Sequence, residues 1–263
     1  MKILFVGEIV ASPGRKTVNA LLPGILKTHS PDLVIANAEN LSGGRGVTAE
    51  NLEEMRRAGI DYFTGGDHVF WQKGSDEIFD SLPIVRPANF PEDCNGCAPG
   101  KGSIVLDAGS KGSVLLINLM GRTSFSGTFA YLDDPFRKAD QILEEHKNEK
   151  LSAIVVDFHA EATSEKLALA NYLDGRVTVF VGTHTHIPSA DGMVLPKGTM
   201  YITDVGMIGA VDSVLGVKTE IIIKQNLTAR HQRFEWEESG RRAFRSVLFD
   251  TETKTVTRID KLS

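Results

Sequence analysis

An apolar run from Val177 to Val181 is the feature that most constrains the fold of this 263-residue chain. The run ends at Gly182, and two histidines, His184 and His186, follow it. Such a run is typical of a strand covered on both faces, and open α/β sheets place their sites at the carboxyl ends of such strands. Neutral imidazole is the commonest metal ligand in proteins, so the pattern indicates a site; two capped loop histidines are the alternative.

Four further apolar runs also end in polar residues of the metal-ligand type. Each of these residues alone has an ordinary explanation, such as a helix cap, a turn or a hydrogen bond at the rim of the core. Together they are harder to explain in that way, because charged groups in such places are costly unless they are paired or metal-bound. We therefore expect the strand ends to converge. The residues are Glu8, Glu39 with Asn40, Asp67 with His68, and His159.

The chemistry of these donors narrows the kind of site. The set mixes carboxylate, amide and imidazole groups and contains no cysteine, which suits Fe, Mn or Zn, with Fe favoured. It is too large for one tetrahedral ion. The set predicts two metal ions, about 3.5–4 Å apart, with a carboxylate between them.

The early alternation of strands and helices, followed by a β-rich end, predicts a layered α/β fold and a single domain over residues 1–263. A helix is expected from Pro13, and Pro23 with the following glycine predicts that it is kinked or split. A second helix is expected to begin after Thr48 as its N-cap. The stretch 204–216 indicates a long loop, and the tail indicates strands at 233–237, 242–249 and 255–259.

Two cysteines, Cys94 and Cys97, lie in a loop rich in Gly and Pro. A structural zinc site needs two more ligands, and the Cys-x-x-Cys step does not open a helix. We expect two ordinary thiols, with a redox pair or half a zinc site as the alternatives.

Charge and hydropathy exclude several partners. The formal net charge of −5 argues against a stable complex with nucleic acid, which needs cationic tracks. No apolar run reaches membrane-spanning length, and the run from Ile3 to Val6 is too short for the core of a signal peptide. We expect a cytoplasmic protein with a small-molecule substrate and no membrane partner.

Seven blocks of sequence, taken in order, carry a family resemblance. The ordered set resembles the calcineurin-like metallophosphoesterases, and more specifically the YmdB-type bacterial metallophosphoesterases along nearly the whole chain. The Gly-x-His-x-His pattern alone is moderately specific, whereas the ordered set is a strong signal. The blocks are Phe5–Val10 with Ser12–Arg15, Ala36–Asn40, Gly65–Val69, Arg86–Asn89, Asp157–Glu161, Gly182–His186 and Thr203–Met207.

This resemblance implies a four-layer α/β/β/α sandwich with a dinuclear centre at its strand ends. The implied activity is phosphodiester hydrolysis by a metal-bridging hydroxide, with 2′,3′-cyclic nucleotides and cyclic AMP as substrate classes. His68 would act on the phosphate, either as proton donor to the leaving oxygen or as a stabiliser of charge. A homo-oligomer is also implied. Glu39 would bridge the two ions; Glu8, Asn40 and His186 would serve one ion, and Asp67, His159 and His184 the other.

Two positions depart from the family pattern. Glu8 stands where the family usually has Asp, and Asp67 stands where it usually has Asn. The longer Glu8 must bend or hold its ion further from the strand, and Asp67 adds one negative charge to the centre. We expect a competent site with an altered metal preference or reduced turnover.

Substrate contacts are less strongly marked. The loop from Gly43 to Gly46 offers backbone N–H groups and the Arg45 guanidinium, which suit a phosphate, although a plain flexible loop is the alternative. Asn89 and the 204–209 segment are expected at the nucleotide pocket from the resemblance. Two other functions stay open. One is a phosphomonoesterase or nuclease that uses the same centre, and the other is a metal- or nucleotide-binding regulatory protein with weak residual phosphoesterase activity.

Overall fold

The computed structural model describes residues 1–74, 76–92, 97–123, 125 and 131–263. Within these ranges the chain forms six α-helices and sixteen strands. The helices are α1 (Ala11–His29), α2 (Ala49–Arg57), α3 (Asp76–Ser81), α4 (Pro135–Glu145), α5 (Thr163–Leu173) and α6 (Thr219–Thr228). The strands are β1 (Lys2–Val6), β2 (Glu8–Ile9), β3 (Leu33–Asn37), β4 (Tyr62–Thr64), β5 (Ile84–Val85), β6 (Ser103–Asp107), β7 (Ser113–Met120), β8 (Leu151–His159), β9 (Val179–Thr183), β10 (Met193–Val194), β11 (Met200–Ile202), β12 (Met207–Ala210), β13 (Arg242–Phe244), β14 (Ser246–Asp250), β15 (Thr255–Arg258) and β16 (Lys261–Leu262).

Most of the strands belong to two six-stranded sheets. The first has the order β15-β14-β1-β3-β4-β5, in which β1, β3, β4 and β5 are parallel. The second has the order β10-β11-β9-β8-β7-β6, in which β7, β8, β9 and β11 are parallel. A smaller sheet, β16-β13-β12-β2, ties the segment after β1 to the end of the chain. Because parallel strands end at the same edge of a sheet, each large sheet presents the residues after its strands together.

Alternation along β1 divides its side chains between two cores. Ile3 and Phe5 are buried between the two large sheets, where they share a core with Val155 of the second sheet. Leu4 and Val6 point the other way, into the core beneath α1, α2 and α3. Each such fully buried apolar side chain stabilises the fold by about 1.5–3 kcal/mol relative to exposure.

The second sheet repeats this division. Leu116 of β7 faces the first sheet, whereas Leu115 lies in a third core with Ala139 of α4 and Leu169 of α5. The layers are therefore helix, sheet, sheet and helix. The predicted four-layer α/β/β/α sandwich is confirmed.

The first two helices differ in how well the sequence predicted them. Thr48 caps α2 by accepting a hydrogen bond from the backbone N–H of Asn51 at 3.4 Å, as expected. The first helix was predicted to be kinked or split at Pro23; it is not split, because α1 runs unbroken from Ala11 to His29 with Pro23 inside it. Proline has no N–H to donate to the carbonyl of Asn19, four residues earlier. Pro23 and Asn19 both lie on the exposed side of α1, which leaves that carbonyl open to solvent. No helix within the described ranges is long and apolar enough to cross a membrane.

The last third of the chain holds most of the differences from prediction. The predicted loop at 204–216 contains β12, which pairs with β2 and β13. The helix α6 was not predicted, and the predicted strand at 233–237 is reduced to one isolated bridge between Val217 and Trp236. Cys97 is disulfide-bonded, which contradicts the expectation of two ordinary thiols. Cys94 lies outside the described residues.

Candidate metal centre

The strand ends converge as the sequence predicts. In the first sheet, β1, β3 and β4 lead directly to Glu8, to Glu39 with Asn40, and to Asp67 with His68. In the second sheet, β8 ends on His159, and β9 leads to His184 and His186. Their side chains form two groups with the spacing of metal ligands, and Glu39 belongs to both.

The first group contains Glu39, Asp67, His159 and His184. The ring atom Nε2 of His159 lies 3.0 Å from Asp67 Oδ1, 3.2 Å from Glu39 Oε2 and 3.0 Å from His184 Nδ1. Four donors therefore face one another from four different strand ends, which is the ligand number of a tetrahedral ion.

The second group contains Glu8, Glu39 and His186, with Asn40 against all three. Glu8 Oε2 lies 2.7 Å from His186 Nε2, and its other oxygen accepts the backbone N–H of His184. The additional methylene of Glu8 thus lets one carboxylate reach both His184 and His186. The Asn40 amide nitrogen lies 3.0 Å from Glu8 and 2.7 Å from Glu39.

Several properties of the two groups fit bound metal. The ligand atoms within each group lie within 4.8 Å of one another, close to the span across an ion whose metal–ligand distances are about 2.0–2.2 Å. Glu8 and Glu39 are both about 1% exposed, and buried carboxylates are costly unless they are paired or metal-bound. The buried Nδ1 of His186 has no hydrogen-bond partner among the described residues. A Cβ at Gly66 would lie 2.2 Å from Glu39 Oε2, so only glycine leaves this space for the candidate ligand atoms.

The acidic and imidazole groups control one another's protonation. Burial disfavours the charged form of Glu39, yet His159 and His68 outweigh burial and hold the pKa of Glu39 well below its usual range. Burial also disfavours a charged His159, but Glu39 and Asp67 raise its pKa well above the ordinary value. Only the neutral ring binds a metal, so metal binding at this centre would release protons.

His68, the predicted catalytic residue, stands at the edge of both groups. Its Nδ1 lies 3.2 Å from Asn40 Oδ1, and its Nε2 lies 3.4 Å from Asp67 Oδ2. Burial lowers the pKa of His68, but the hydrogen bond and charge of Glu39 outweigh burial and raise it. The ring is therefore oriented, partly exposed and biased toward the protonated form, as a proton donor requires.

A buried carboxylate that the sequence did not single out supports the first group from behind. Asp157 Oδ1 accepts the hydroxyl of Thr183 at 2.9 Å, and Thr183 Oγ1 lies 2.9 Å from His159 Nδ1. The other oxygen of Asp157 accepts from Thr64 at 2.5 Å and from Asn37 at 3.2 Å. Asp157 thus joins the ends of four strands from both sheets and, through Thr183, orients the ring of His159.

A buried ion pair supports the loop that carries His184 and His186. Both residues have a positive φ, 101° and 66°, which non-glycine residues adopt only when the surrounding structure holds them there. Asp204 accepts both the backbone N–H and the hydroxyl of the intervening Thr185, at 3.1 and 2.8 Å. Lys166 of α5 pairs with the same carboxylate at 2.8 Å. Asp204 was expected at the nucleotide pocket, but it is buried and holds the histidine loop instead.

The two predicted substrate contacts have different outcomes. Arg45 lines a cavity beside the centre, and its guanidinium lies over the ring of Trp71 at 4.9 Å. Asn89 is completely buried and is not among the described residues that line this cavity. Its amide donates to the carbonyls of Met120 and Asp133 and accepts the N–H of Met120. Asn89 therefore joins backbone segments in this structure, and its contact with a substrate stays a prediction.

Two clefts are candidates for substrate binding. A cavity of about 420 Å³ opens from His68, His184 and His186. A larger cleft of about 1120 Å³ lies at the opposite, amino ends of β3 and β4, around Asp32 and Asp61. Neither of the two candidate metal-ligand groups found among the described residues reaches the larger cleft, so the smaller cavity is the candidate active site.

Comparison with known sequences assigns the chain to a family. The family described as YmdB-like protein matches residues 4–262. The chain belongs to the YmdB-like family. YmdB proteins are calcineurin-like phosphoesterases, so both the family resemblance and the expectation of an enzyme of this class are confirmed.

Similar proteins cover this YmdB-like chain from end to end. It is 43% identical to the 2′,3′-cyclic-nucleotide 2′-phosphodiesterase of Bacillus subtilis, over 100% of the chain and 96% of that protein. A crystal structure of a hypothetical protein from Thermus thermophilus has a TM-score of 0.90 at 39% identity and covers all of both chains. A phosphatase from Mycoplasma pneumoniae has a TM-score of 0.89 at 33% identity, over 100% of this chain and 93% of that one.

Proposed function

We propose that this protein is a dinuclear metal-dependent phosphodiesterase that hydrolyses 2′,3′-cyclic nucleotides. The observation that carries the proposal is the sharing of Glu39 between two ligand groups, each assembled from several strand ends. The similar Bacillus subtilis protein, named as a 2′,3′-cyclic-nucleotide 2′-phosphodiesterase, supports this substrate class.

The residues divide between the two ions as follows. One ion would be held by Glu8, Asn40 and His186, and the other ion by Asp67, His159 and His184. Glu39 would contribute to both. Bound ions would supply Lewis-acid polarisation of the phosphoryl oxygens and a water acidic enough to attack near neutral pH. The oxygen and nitrogen donors suit Fe, with Mn and Zn as alternatives. Asp67, an anion where the family usually has a neutral residue, favours the more highly charged metal pair.

The role of His68 follows from the bond that breaks. Water attack on a 2′,3′-cyclic phosphate forms one new P–O bond and breaks the bond between phosphorus and the ribose 2′-oxygen. The 2′-oxygen leaves as an alkoxide and must gain a proton. The product is then a nucleoside 3′-phosphate with a free 2′-hydroxyl. His68, held by Asn40 at the edge of the centre, donates that proton.

We also propose cyclic AMP as a substrate, because it too is a cyclic phosphodiester, with a six-membered ring through its 3′ and 5′ oxygens instead of the five-membered ring of a 2′,3′-cyclic nucleotide. A cytoplasmic location, a single domain and a homo-oligomer stay predictions.

The test is a hydrolysis assay that also identifies the product. Wild-type protein loaded with Mn²⁺ is incubated with 2′,3′-cyclic AMP, and the products are resolved by chromatography against 2′-AMP and 3′-AMP. We expect 3′-AMP, and a kcat lower by about 10²–10⁴-fold in His68→Ala. His146→Ala is the matched control, because His146 lies beside Glu149 at the end of α4, far from the centre in the second helical layer.

Two results would contradict the proposal. Metal-loaded protein that leaves every cyclic nucleotide intact would favour a regulatory binding protein. Hydrolysis of 3′-AMP in preference to the cyclic diester would favour a phosphomonoesterase.

A further inference from the structure

The cavity beside the metal centre has two chemically different walls. One wall consists of the polar groups of the centre, including His68, His184 and His186. The other wall consists of apolar residues from the last third of the chain. The cavity volume, about 420 Å³, lies in the range of about 300–1,000 Å³ that is typical of small-molecule sites. The apolar residues are Val214, Leu215, Val217, Ile222, Phe234 and Trp236.

The indole of Trp236 is fixed in place from three sides. Its Nε1 donates to the carbonyl of Gly43 at 2.9 Å, and its backbone pairs with Val217. A Cβ on Gly44 would lie only 1.7 Å from the indole atom Cζ2, so the ring rests directly on the loop from Gly43 to Gly46, here called the glycine loop. Gly216 lies beneath the other edge of the ring. A rigid aromatic surface of this kind binds a flat ligand without a large cost of ordering.

We infer that this apolar wall is a base-binding subsite, in which the nucleobase packs against Trp236 and Phe234. The inference rests on the proposed function, because the phosphate at the metal centre sets where the rest of the substrate goes. A nucleotide has a charged phosphate and a flat, largely apolar base, and the cavity has one wall suited to each. Stacking on an aromatic side chain contributes about 1–3 kcal/mol per base, which is about 5- to 150-fold in affinity.

The subsite has few groups with which to read the edge of a base. The hydroxyl of Thr185 already donates to Asp204, and Glu161 is paired with His184 at 3.2 Å. Outside the metal centre, Arg45 is the remaining charged group along the described cavity lining, and it lies in the loop from Gly43 to Gly46. The subsite should therefore select for the presence of a base rather than for its identity, and purines should bind more tightly than pyrimidines because they offer more area.

The test compares a nucleotide with the same cyclic phosphate without a base. The kcat/KM is measured for 2′,3′-cyclic AMP and for 1-O-methyl-ribofuranose 2′,3′-cyclic phosphate. In the wild type we expect a preference for the nucleotide of about 5- to 150-fold, mostly in KM. Trp236→Ala should reduce this ratio toward one, whereas Trp236→Phe should retain most of it. Trp71→Ala, the same change outside the apolar wall, should leave the ratio as it is.

A second measurement does not depend on turnover. The chain has two tryptophans, so Trp71→Phe leaves Trp236 as the single indole. Titration with 3′-AMP should quench its fluorescence strongly, and the quench should be weaker in Trp236→Phe, which retains Trp71. Phe234→Ala, which leaves the contacts of Trp236 with the glycine loop intact, should weaken binding in the same titration.

The outcomes separate the two proposals. Equal kcat/KM for both compounds in the wild type, with no quench at Trp236, would overturn the base subsite and leave the phosphodiesterase standing. A kcat/KM preference for the nucleotide that persists in both Trp236→Ala and Phe234→Ala would also overturn the base subsite. Hydrolysis of neither compound would overturn the proposed function and the subsite together.

Discussion

The buried pair of Lys166 and Asp204 offers a sharp prediction about how the histidine loop is held. The two charges are 2.8 Å apart, with side chains 0% and 2% exposed. Asp204 also accepts from the backbone N–H of Gly206 at 2.8 Å and from two groups of Thr185. Replacing Lys166 with Met retains most of the side chain's length and removes the charge, so Asp204 becomes a buried carboxylate without a cation.

The size of the effect follows from this environment. Removing one partner of a buried ion pair typically costs about 3–5 kcal/mol, because the other charge stays buried. Asp204 keeps its hydrogen-bond donors from Thr185 and Gly206, which places the expected loss of unfolding free energy at the lower end, about 3 kcal/mol. For a chain of this size the melting temperature should fall by about 6–12 °C. Lys166→Met with Asp204→Asn should recover part of the loss, because it leaves no unpaired charge.

The assay is denaturant unfolding of chelator-treated protein, followed by metal titration of the same variants. Lys16→Met is the matched control. Its pair with Glu238 has a similar distance, 2.9 Å, but both side chains are more than half exposed. Such a pair contributes at most about 1 kcal/mol. Lys166→Met should also bind metal more weakly, because Thr185 lies between His184 and His186, the two proposed ligands of this loop, and loses a firm anchor.

The reasoning fails if Lys166→Met unfolds within the error of Lys16→Met. It also fails if the double variant is less stable than Lys166→Met alone, because the unpaired carboxylate would then not be the source of the loss.

Three further predictions concern the centre itself. Asp67→Asn removes one negative charge from the centre. It should raise kcat, because that charge repels the phosphate, and weaken metal binding, because the same charge attracts the metal. Unchanged turnover would refute this prediction. Thr183→Val should weaken metal binding by about 10- to 100-fold, because His159 loses its orienting hydrogen bond. Thr183→Ser retains the hydroxyl and should bind metal as the wild type does. Equal metal affinity in the two variants would refute this prediction. Burial raises the pKa of Asp157 from 3.8 to about 6, against opposing hydrogen bonds. Because the folded protein favours the protonated form of Asp157, this group's contribution to the free energy of unfolding is complete below pH 3.8. It is lost as the pH rises through about 6. Relative to Asp157→Asn, the chelator-treated wild type should lose about 3 kcal/mol across this range; parallel pH profiles of unfolding free energy would contradict it.

The sequence was informative about the centre because strand ends are readable locally. Each apolar run and the polar residue after it lie within a few positions, and parallel strands bring their ends to one edge. The positions of Glu8, Glu39 and His159 followed from that pattern. Their division between two ions came from the resemblance, and their role as ligands stays a prediction.

The residues that support the centre could not be found in this way. Asp157 sits inside an apolar strand, and its partners Thr64 and Asn37 are 93 and 120 residues away. The structural contacts of Asn89 were not predicted for the same reason, since the backbone groups that bind its amide are 31 and 44 residues distant. Hydrogen bonds of this range depend on the packing of whole layers, which no local pattern reports.

The end of the chain was misjudged through weak periodicity. None of the residues of α6 is buried, so the helix lacks the apolar stripe from which a surface helix is usually recognised. The apolar wall of the cavity comes from the same region, and Trp236 lies half-buried there without belonging to a regular strand. Its position beside the centre depends on the glycine loop, which is almost two hundred residues earlier.

The central claim is that two metal ions share Glu39, and metal stoichiometry tests it most directly. Chelator-treated protein is titrated with Mn²⁺ by calorimetry, and the bound metal is then counted by elemental analysis. We predict two ions per wild-type chain and a loss of affinity at both sites in Glu39→Gln, with Glu53→Gln, a change on the surface of α2, behaving as the wild type. Two tightly held ions in Glu39→Gln, or no tightly held ion in the wild type, would contradict the account.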